Sequence, residues 1–407
     1  MNFIFREIED GQSVIGTSML GGDFELPRLV LKRSALEHNI ATMAKFCAAH
    51  HVSIAPHAKT TMAPGILRRQ TESGSWAMTV ATMQQLRACV ASGVTRVVVA
   101  NEIVNPRAAE WLGRTLAAHD GALEVFCLVD SAAGVARLSM GLRASSLERP
   151  LPVLVELGTA GGRAGARSID DAVRVAQAAA ESGVLKLAGV EGFEGILGGT
   201  RSPDNLAKVD SYLGQMQDLA CRLEADGLLE DVGEVVLSAG GSTFFDRVAI
   251  ALGAVALRSP TRVVLRSGCY VTHDHGNYGG SAPLASEPGH PGFVPALELW
   301  SEIISTPEPG RAIAGFGRRD APFDAGLPVA LARIPAGETG VPVPMVASVT
   351  GLNDQHAYLE TVQAPEVKVG DRLICGIRHP CTAFDKWRKV PMVDDDYRVV
   401  EIIETFF

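Results

Sequence analysis

Three things are scarce in this 407-residue chain: basic charge in excess, long apolar runs and paired cysteines. The net charge of −9 leaves no electrostatic footprint for nucleic acid, and no basic run marks an acidic membrane surface. Chemistry on a small molecule is the class left. The opening stretch MNFIFREIEDGQSVIG carries acidic residues and no secretory-type apolar core, and no later segment is apolar for the roughly 20 residues a bilayer crossing needs. The expected location is therefore the cytoplasm. The seven cysteines are odd in number, scattered mostly through apolar segments and never spaced CxxC, which argues against a disulfide framework and for reduced core residues. Internal repeats and low-complexity tracts are absent as well.

What the chain does have is a rhythm. Apolar, β-branched runs recur eight times: VSIAP from Val52, SWAMTV from Ser75, RVVVAN from Arg96, LEVFCLVD from Leu123, LPVLVEL from Leu151, LKLAGVEGF from Leu185, EVVLSAGG from Glu234 and RVVLRSG from Arg262. Helix-like segments separate them, such as SALEHNIATMAKFCAAH from Ser34 and TMQQLRACVASG from Thr82, each opening on a Ser or Thr cap. Continuous apolar strands suit a closed (β/α)8 TIM-type barrel or an open doubly wound sheet, and the count of eight favours the barrel. Beyond Tyr270 the pattern changes to Gly- and Pro-rich turns and short strands (ALELWSEIIS, VPMVASVT, DRLICGI, YRVVEIIETFF), an all-β C-terminal domain. The expected division is a segment 1–25 joining the β-domain, a barrel over 26–270 and the β-domain over 271–407.

Several short motifs carry chemistry. APHAKT places Lys59 just past the first barrel strand, at the rim where barrel active sites are built. A lysine there is by itself an ordinary surface charge; with the right neighbours it is a carbonyl-binding amine. SAGGST, from Ser238 through Gly240, Gly241 and Ser242 to Thr243, offers closely spaced backbone N–H groups before a helix, the construction of a phosphate cradle and equally of a tight βα turn. In RHPCT, His379 and Cys381 stand two apart, so an extended backbone points both at one cation; imidazole with thiolate favours zinc over magnesium or calcium.

Taken in order, ELPRLVLKRSALEHNIATM, APHAKT, VELGTAGGRAG, VEGFEG, LSAGGSTFF, RSGCYVTHD and GIRHPCTAFDKW resemble the D-serine dehydratase and D-threonine aldolase family, alanine-racemase-like enzymes of pyridoxal 5'-phosphate (PLP). The resemblance spans nearly the whole chain. It implies an alanine racemase-like barrel with an all-β C-terminal domain. Lys59 then binds PLP, with His57 of the same motif, Arg163 beside the cofactor's phenolate oxygen, Ser238 to Thr243 around the phosphate, and Tyr270 at the rim with Asp274. Phe193 stands where family members often carry a tyrosine near the pyridine nitrogen; Glu191 and Glu194 are both open as its replacement. His379 and Cys381 become metal ligands, for zinc or else manganese, and His356 resembles a histidine that relays a proton near metal and substrate.

Aldolases of this family commonly carry aspartate with manganese where this chain has Cys381, whereas its dehydratases resemble the HxC arrangement with zinc. The implied activity is a PLP-dependent lyase that dehydrates and deaminates a β-hydroxy D-amino acid, D-serine-like, to a 2-oxo acid and ammonia. A D-threonine-type aldolase giving glycine and an aldehyde is the competing enzyme reading, and a non-catalytic PLP-binding protein the reading from another class. The resemblance further implies a homodimer with active sites shared between subunits; the charge balance already points away from a nucleic-acid or membrane partner.

Overall fold

A computed structural model describes residues 14–22, 24–230, 232–286, 292–361 and 367–407. It divides into two compact units: one of Met43–Lys59 with Gln70–Gly268, the other of the described residues up to Thr42, Thr60–Arg69 and Cys269–Phe407.

From its start the chain alternates strand and helix: β1 (Arg28–Lys32), α1 (Arg33–Ala49), β2 (Ser53–Ile54), α2 (Pro64–Glu72), β3 (Met78–Val80), α3 (Met83–Ala91), β4 (Arg96–Glu102), α4 (Pro106–Ala118) and β5 (Glu124–Val129). It continues through α5 (Ala132–Arg143), β6 (Leu151–Leu157), α6 (Ile169–Glu181), β7 (Leu185–Gly192), α7 (Pro203–Ala225), β8 (Val235–Ala239), α8 (Phe245–Gly253) and β9 (Thr261–Leu265). The helix starts are written locally: Thr82, Asn105, Ser131, Ser168 and Ser202 each accept a backbone N–H of the first turn, and Pro106 and Pro203 follow two of those caps.

In the first unit β2 to β9 form a parallel sheet in the order β2-β9-β8-β7-β6-β5-β4-β3. Its two end strands meet: Trp76 N–H donates to Ile54 O and Thr79 N–H to Pro56 O, both at 2.8 Å, and His57 bridges Thr79 in parallel. The sheet is thus a closed eight-stranded barrel, and its strands are the eight apolar runs read from the sequence; the open doubly wound alternative is excluded. An apolar plug of Ala55, Ala77, Val98, Phe126, Leu154, Ala188, Val236 and Val264 takes a residue from each of the eight runs. Side chains alternate along a strand, so residues two further on point to the same interior. Those include His57, Thr79, Glu156, Ser238 and Arg266, a polar layer on the C-terminal side of the plug.

The other unit holds β10 (Leu297–Glu308), β11 (Arg311–Ala314), β12 (Val329–Ile334), β13 (Val343–Pro344), β14 (Ser348–Leu352), β15 (Ala357–Glu360), β16 (Arg372–Gly376), β17 (Lys389–Val393) and β18 (Val399–Glu404). Here the structure departs from the expected division: β1, within the stretch 26–270 assigned to the barrel, lies between β10 and β17 of this second sheet. A strand buried at Arg28 to Leu31 needs two neighbours for its backbone groups, and those two supply them. Residues 1–13 and 23 of the expected N-terminal segment lie outside the described residues; Val14 and Met19 pack with Val30, Trp300, Ile374 and Val399 in the core of this unit. No helix among the described residues is long and apolar enough to cross a membrane.

One glycine is dictated by the barrel wall. At Gly189 of β7 φ is +149°, and an added Cβ would stand 1.9 Å from Val236 O of β8. Gly189→Ala is expected to cost about 3 kcal/mol or more of stability, read as a lowered midpoint in urea unfolding; a wild-type midpoint would contradict this account of the wall.

Candidate active site

At the C-terminal end of the barrel strands the polar layer becomes a network of charges. Arg266, just past β9 and 3% exposed, donates from Nη1 to Ser238 Oγ at 2.8 Å and from Nη2 to Gly192 O at 3.1 Å, and pairs with the Glu191 carboxylate. Glu191 is itself inaccessible to water, so each charge depends on the other. Glu156, opposite Glu191 in the register of β6 and β7, is pushed up to about 9 by burial, by Glu191 and by a hydrogen bond with Glu102 at the end of β4. It is a neutral acid at pH 7.

Glu194 follows in the turn after β7. It is fully buried, neither carboxylate oxygen has a hydrogen-bond partner, and burial pushes it up to about 7. It faces the glycine loop: a Cβ on Gly241 would sit 2.2 Å from Glu194 Oε1. Any side chain at position 241 would push the Glu194 carboxyl aside.

The other residues singled out in this unit fall around the same layer. Lys59 sits half-buried in the single 3₁₀ turn Ala58–Thr60 that follows β2. His57 has a buried Nδ1 without a hydrogen-bond partner, and burial, then Lys59, Arg266 and Arg163, hold its pKa well below the ordinary range, which makes it a neutral imidazole. Arg163 is exposed, with its guanidinium carbon 4.1 Å from the centroid of the Phe193 ring. In the SAGGST loop, the Ser238 hydroxyl is taken up by Val264 O and Arg266, and Gly240 N–H donates to Gly192 O. Ser267 Oγ and Arg201 Nη1 hold the carbonyls of Gly241 and Thr243. Helix α8 then starts at Phe244 with no side-chain cap, so its first N–H groups are left for something else to accept.

The second unit contains a different cluster. Cys269, His379 and Cys381 bring one ligand-type atom each within 4.8 Å of one another. The two sulfurs are 3.3 Å apart, and Thr60 Oγ1 is 3.3 Å from Cys381 Sγ. Asp324 bonds His379 Nδ1 at 2.6 Å and Thr382 Oγ1 at 2.8 Å, which leaves Nε2 as the ring's free ligand atom. The extended HxC geometry expected from sequence is not what aligns the pair: Cys381 lies in a 3₁₀ turn, Pro380–Thr382, with His379 as its N-cap. Hydrogen bonds from Cys269, then His379 and Thr60, hold Cys381 well below the usual thiol range, while the bond to Cys381 raises His379 to about 9.

Tyr270, buried in the turn Cys269–Val271, has its ring centroid 5.8 Å from that of Phe293. Asp274 is a structural acceptor, taking the N–H groups of Gly276 and Tyr278. His356 is exposed in the turn between β14 and β15 and is not one of the three clustered groups. Sequence reasoning missed Cys269, Arg266, Glu102 and Glu156. The last three carried a signal, a charged residue at the end of an apolar run; Cys269 carried none beyond its place after the last barrel strand.

Comparison with known proteins identifies the family and the fold. The family model "Alanine racemase, N-terminal domain" matches residues 31–251, more than half of the chain, and "Putative serine dehydratase domain" matches 296–393. The chain belongs to this family of alanine-racemase-like, fold-type III PLP enzymes, and it is a lyase. A D-threonine aldolase from Arthrobacter sp is 25% identical over 357 residues, 86% of this chain and 84% of the relative. The solved D-threonine aldolase from Filomicrobium marinum superposes with a TM-score of 0.79 at 24% identity, over 96% of this chain and 97% of that one. A D-threo-3-hydroxyaspartate dehydratase from Delftia sp. HT23 superposes with a TM-score of 0.74 at 22% identity, over 96% and 99%. At those identities the two structures speak for the fold.

The residues present fit PLP. A rim lysine, a glycine loop whose carbonyls are tied back, an uncapped helix start and a buried, unpartnered histidine nitrogen and carboxyl are what a phosphorylated pyridine aldehyde requires. Two sulfurs, an imidazole and a carboxylate that orients it likewise fit zinc.

The Glu194 carboxyl makes a prediction of its own. The folded chain keeps this proton up to about pH 7, whereas an exposed glutamate loses it near 4.5, so stability should fall as pH rises between those values. In the cofactor-free protein, Glu194→Gln removes that dependence: from pH 5 to 8 the wild type should lose about 2.5 kcal/mol relative to the variant in urea unfolding. Parallel pH profiles would show that Glu194 is not the buried acid described here.

Proposed function

We propose that this protein is a PLP- and metal-dependent dehydratase of a β-hydroxy D-amino acid, D-serine-like, releasing a 2-oxo acid and ammonia. The observation that carries the reading is the meeting of His379 and Cys381 with a second sulfur. A soft cation held there is a Lewis acid suited to a poor leaving group such as hydroxide. Lys59 is joined by one peptide bond to Thr60, whose hydroxyl contacts Cys381.

In this reading Lys59 would hold the cofactor, and its amine would be placed to take the α-proton of the substrate. Bound PLP supplies an electron sink for the charge left at that carbon. The N–H groups of Gly241 to Thr243 and the start of α8 would hold the phosphate, while the Ser238 hydroxyl, expected beside it, is engaged by Val264 O and Arg266. Arg163 faces the phenolate side. Glu194, with its carboxyl buried and unpartnered, is the better candidate of the two glutamates for a polar atom of the cofactor, because Glu191 is committed to Arg266. His57 is a neutral ring partner. His379 and Cys381 would hold the cation, which would supply a Lewis acid for the β-hydroxyl. Tyr270 stays a rim residue, and the exposed His356 remains a proton relay only in the sense the resemblance gives it. The homodimer belongs to the same proposal.

Aldol cleavage has a specific observation in its favour, the similarity to the Arthrobacter D-threonine aldolase. The two reactions break different bonds, and one incubation separates them. Zinc-loaded enzyme with D-serine should yield pyruvate and ammonia, D-threonine should yield 2-oxobutyrate, and Lys59→Ala should lose at least about 10³-fold in rate. Glycine with acetaldehyde from D-threonine would make the protein an aldolase; no turnover of either would contradict a D-serine-like substrate.

A further inference from the structure

The HxC pair supplies two ligands, but the structure brings up a third group that the spacing of the sequence does not show. We propose that Cys269 is a protein ligand to the same cation, so that two thiolates and one imidazole select a thiophilic metal and leave a single open position for substrate. The proposal rests on the metal reading above and sharpens it.

Distances carry the argument. Cys269 Sγ stands 3.3 Å from Cys381 Sγ, far beyond a disulfide bond. Two thiolates on one tetrahedral zinc, each about 2.3 Å from the ion, are separated by about 3.8 Å. Half an ångström of side-chain rotation converts the observed pair into that geometry. The imidazole already lies in the same cluster, with Nδ1 engaged by Asp324. Cys269 also has an outer partner, a hydrogen bond with the Tyr278 hydroxyl, and Cys381 has one in Thr60. Each sulfur is therefore supported as a ligand usually is, by a donor that steadies its charge. On binding, a Cys269 thiol passes its proton to solvent and its sulfur lone pair to the metal; nothing is oxidised.

The consequences concern selectivity. With His379 and Cys381 alone, the open positions would let a hard, six-coordinate cation such as manganese enter by adding waters. With Cys269 as ligand the site is tetrahedral and soft, and the one open position takes a single oxygen in place of water, the β-hydroxyl of the substrate.

X-ray absorption at the zinc edge of the reduced, cofactor-loaded, full-length enzyme counts the sulfurs directly. Wild type should show two sulfur neighbours and Cys269→Ser one, with zinc held about 10- to 100-fold more weakly in a chelator competition. Cys269→Asp, which keeps a ligand but a hard one, should lower the preference for zinc over manganese by at least about tenfold. One sulfur in both wild type and Cys269→Ser, with equal affinity, would overturn the third ligand while leaving the two-ligand site intact. A zinc shell without sulfur would overturn both. An enzyme that binds zinc through two sulfurs yet dehydrates nothing supports this inference and counts against the proposed reaction alone.

Discussion

A guanidinium with almost no access to water ties together the strand ends of the barrel. Arg266 reaches from β9 across β8 to β7, taking Ser238 Oγ, Gly192 O and the Glu191 carboxylate. A lone charge so buried would cost several kcal/mol, and so would Glu191 if its partner were removed. The pair therefore fixes where the turn after β7 and the glycine loop after β8 can lie. Gly240 bonds back to Gly192, Gly241 passes within contact of Glu194, and the uncapped start of α8 follows from that path. Burial disfavours charge on the neighbouring carboxyls, and the negative charge of Glu191 adds to it, so Glu156 keeps its proton and Glu194 titrates near neutrality.

The two units use opposite electrostatic designs. The barrel end is crowded with hard oxygen acids and fixed cations, suited to a phosphorylated, polar cofactor. The cluster of Cys269, His379 and Cys381 is soft, with no carboxylate among its three ligand-type groups and Asp324 one step behind the imidazole. A reaction that needs both an electron sink and a Lewis acid for a hydroxyl calls for both designs. A racemase or a simple cofactor carrier has no use for the second.

The barrel was legible in the sequence because each strand is a short, continuous apolar run and most of the helices between them open on a side-chain cap. Closure itself was not legible: it depends on Trp76 and Thr79 finding the backbone of Ile54 and Pro56, which periodicity does not encode. Nor was the placement of β1, whose apolar run reads like any barrel strand until its partners are seen. Motifs such as APHAKT and HPC stood out because unusual residues sit close together in the chain. Cys269 lies 112 residues from Cys381, in a segment whose apolar surroundings suggest a core cysteine, and only folding brings the sulfurs together. The Arg266–Glu191 pair hid for the same reason, Glu191 lying in β7 and Arg266 just past β9.

The central claim is that Lys59 carries the cofactor. Borohydride reduction of the PLP-saturated protein, followed by peptide mass spectrometry, reads this without any assumption about substrate or metal. A phosphopyridoxyl label on the peptide containing Lys59, and on no other, is the result predicted; an unlabelled Lys59, or a label on a different lysine, would contradict the account.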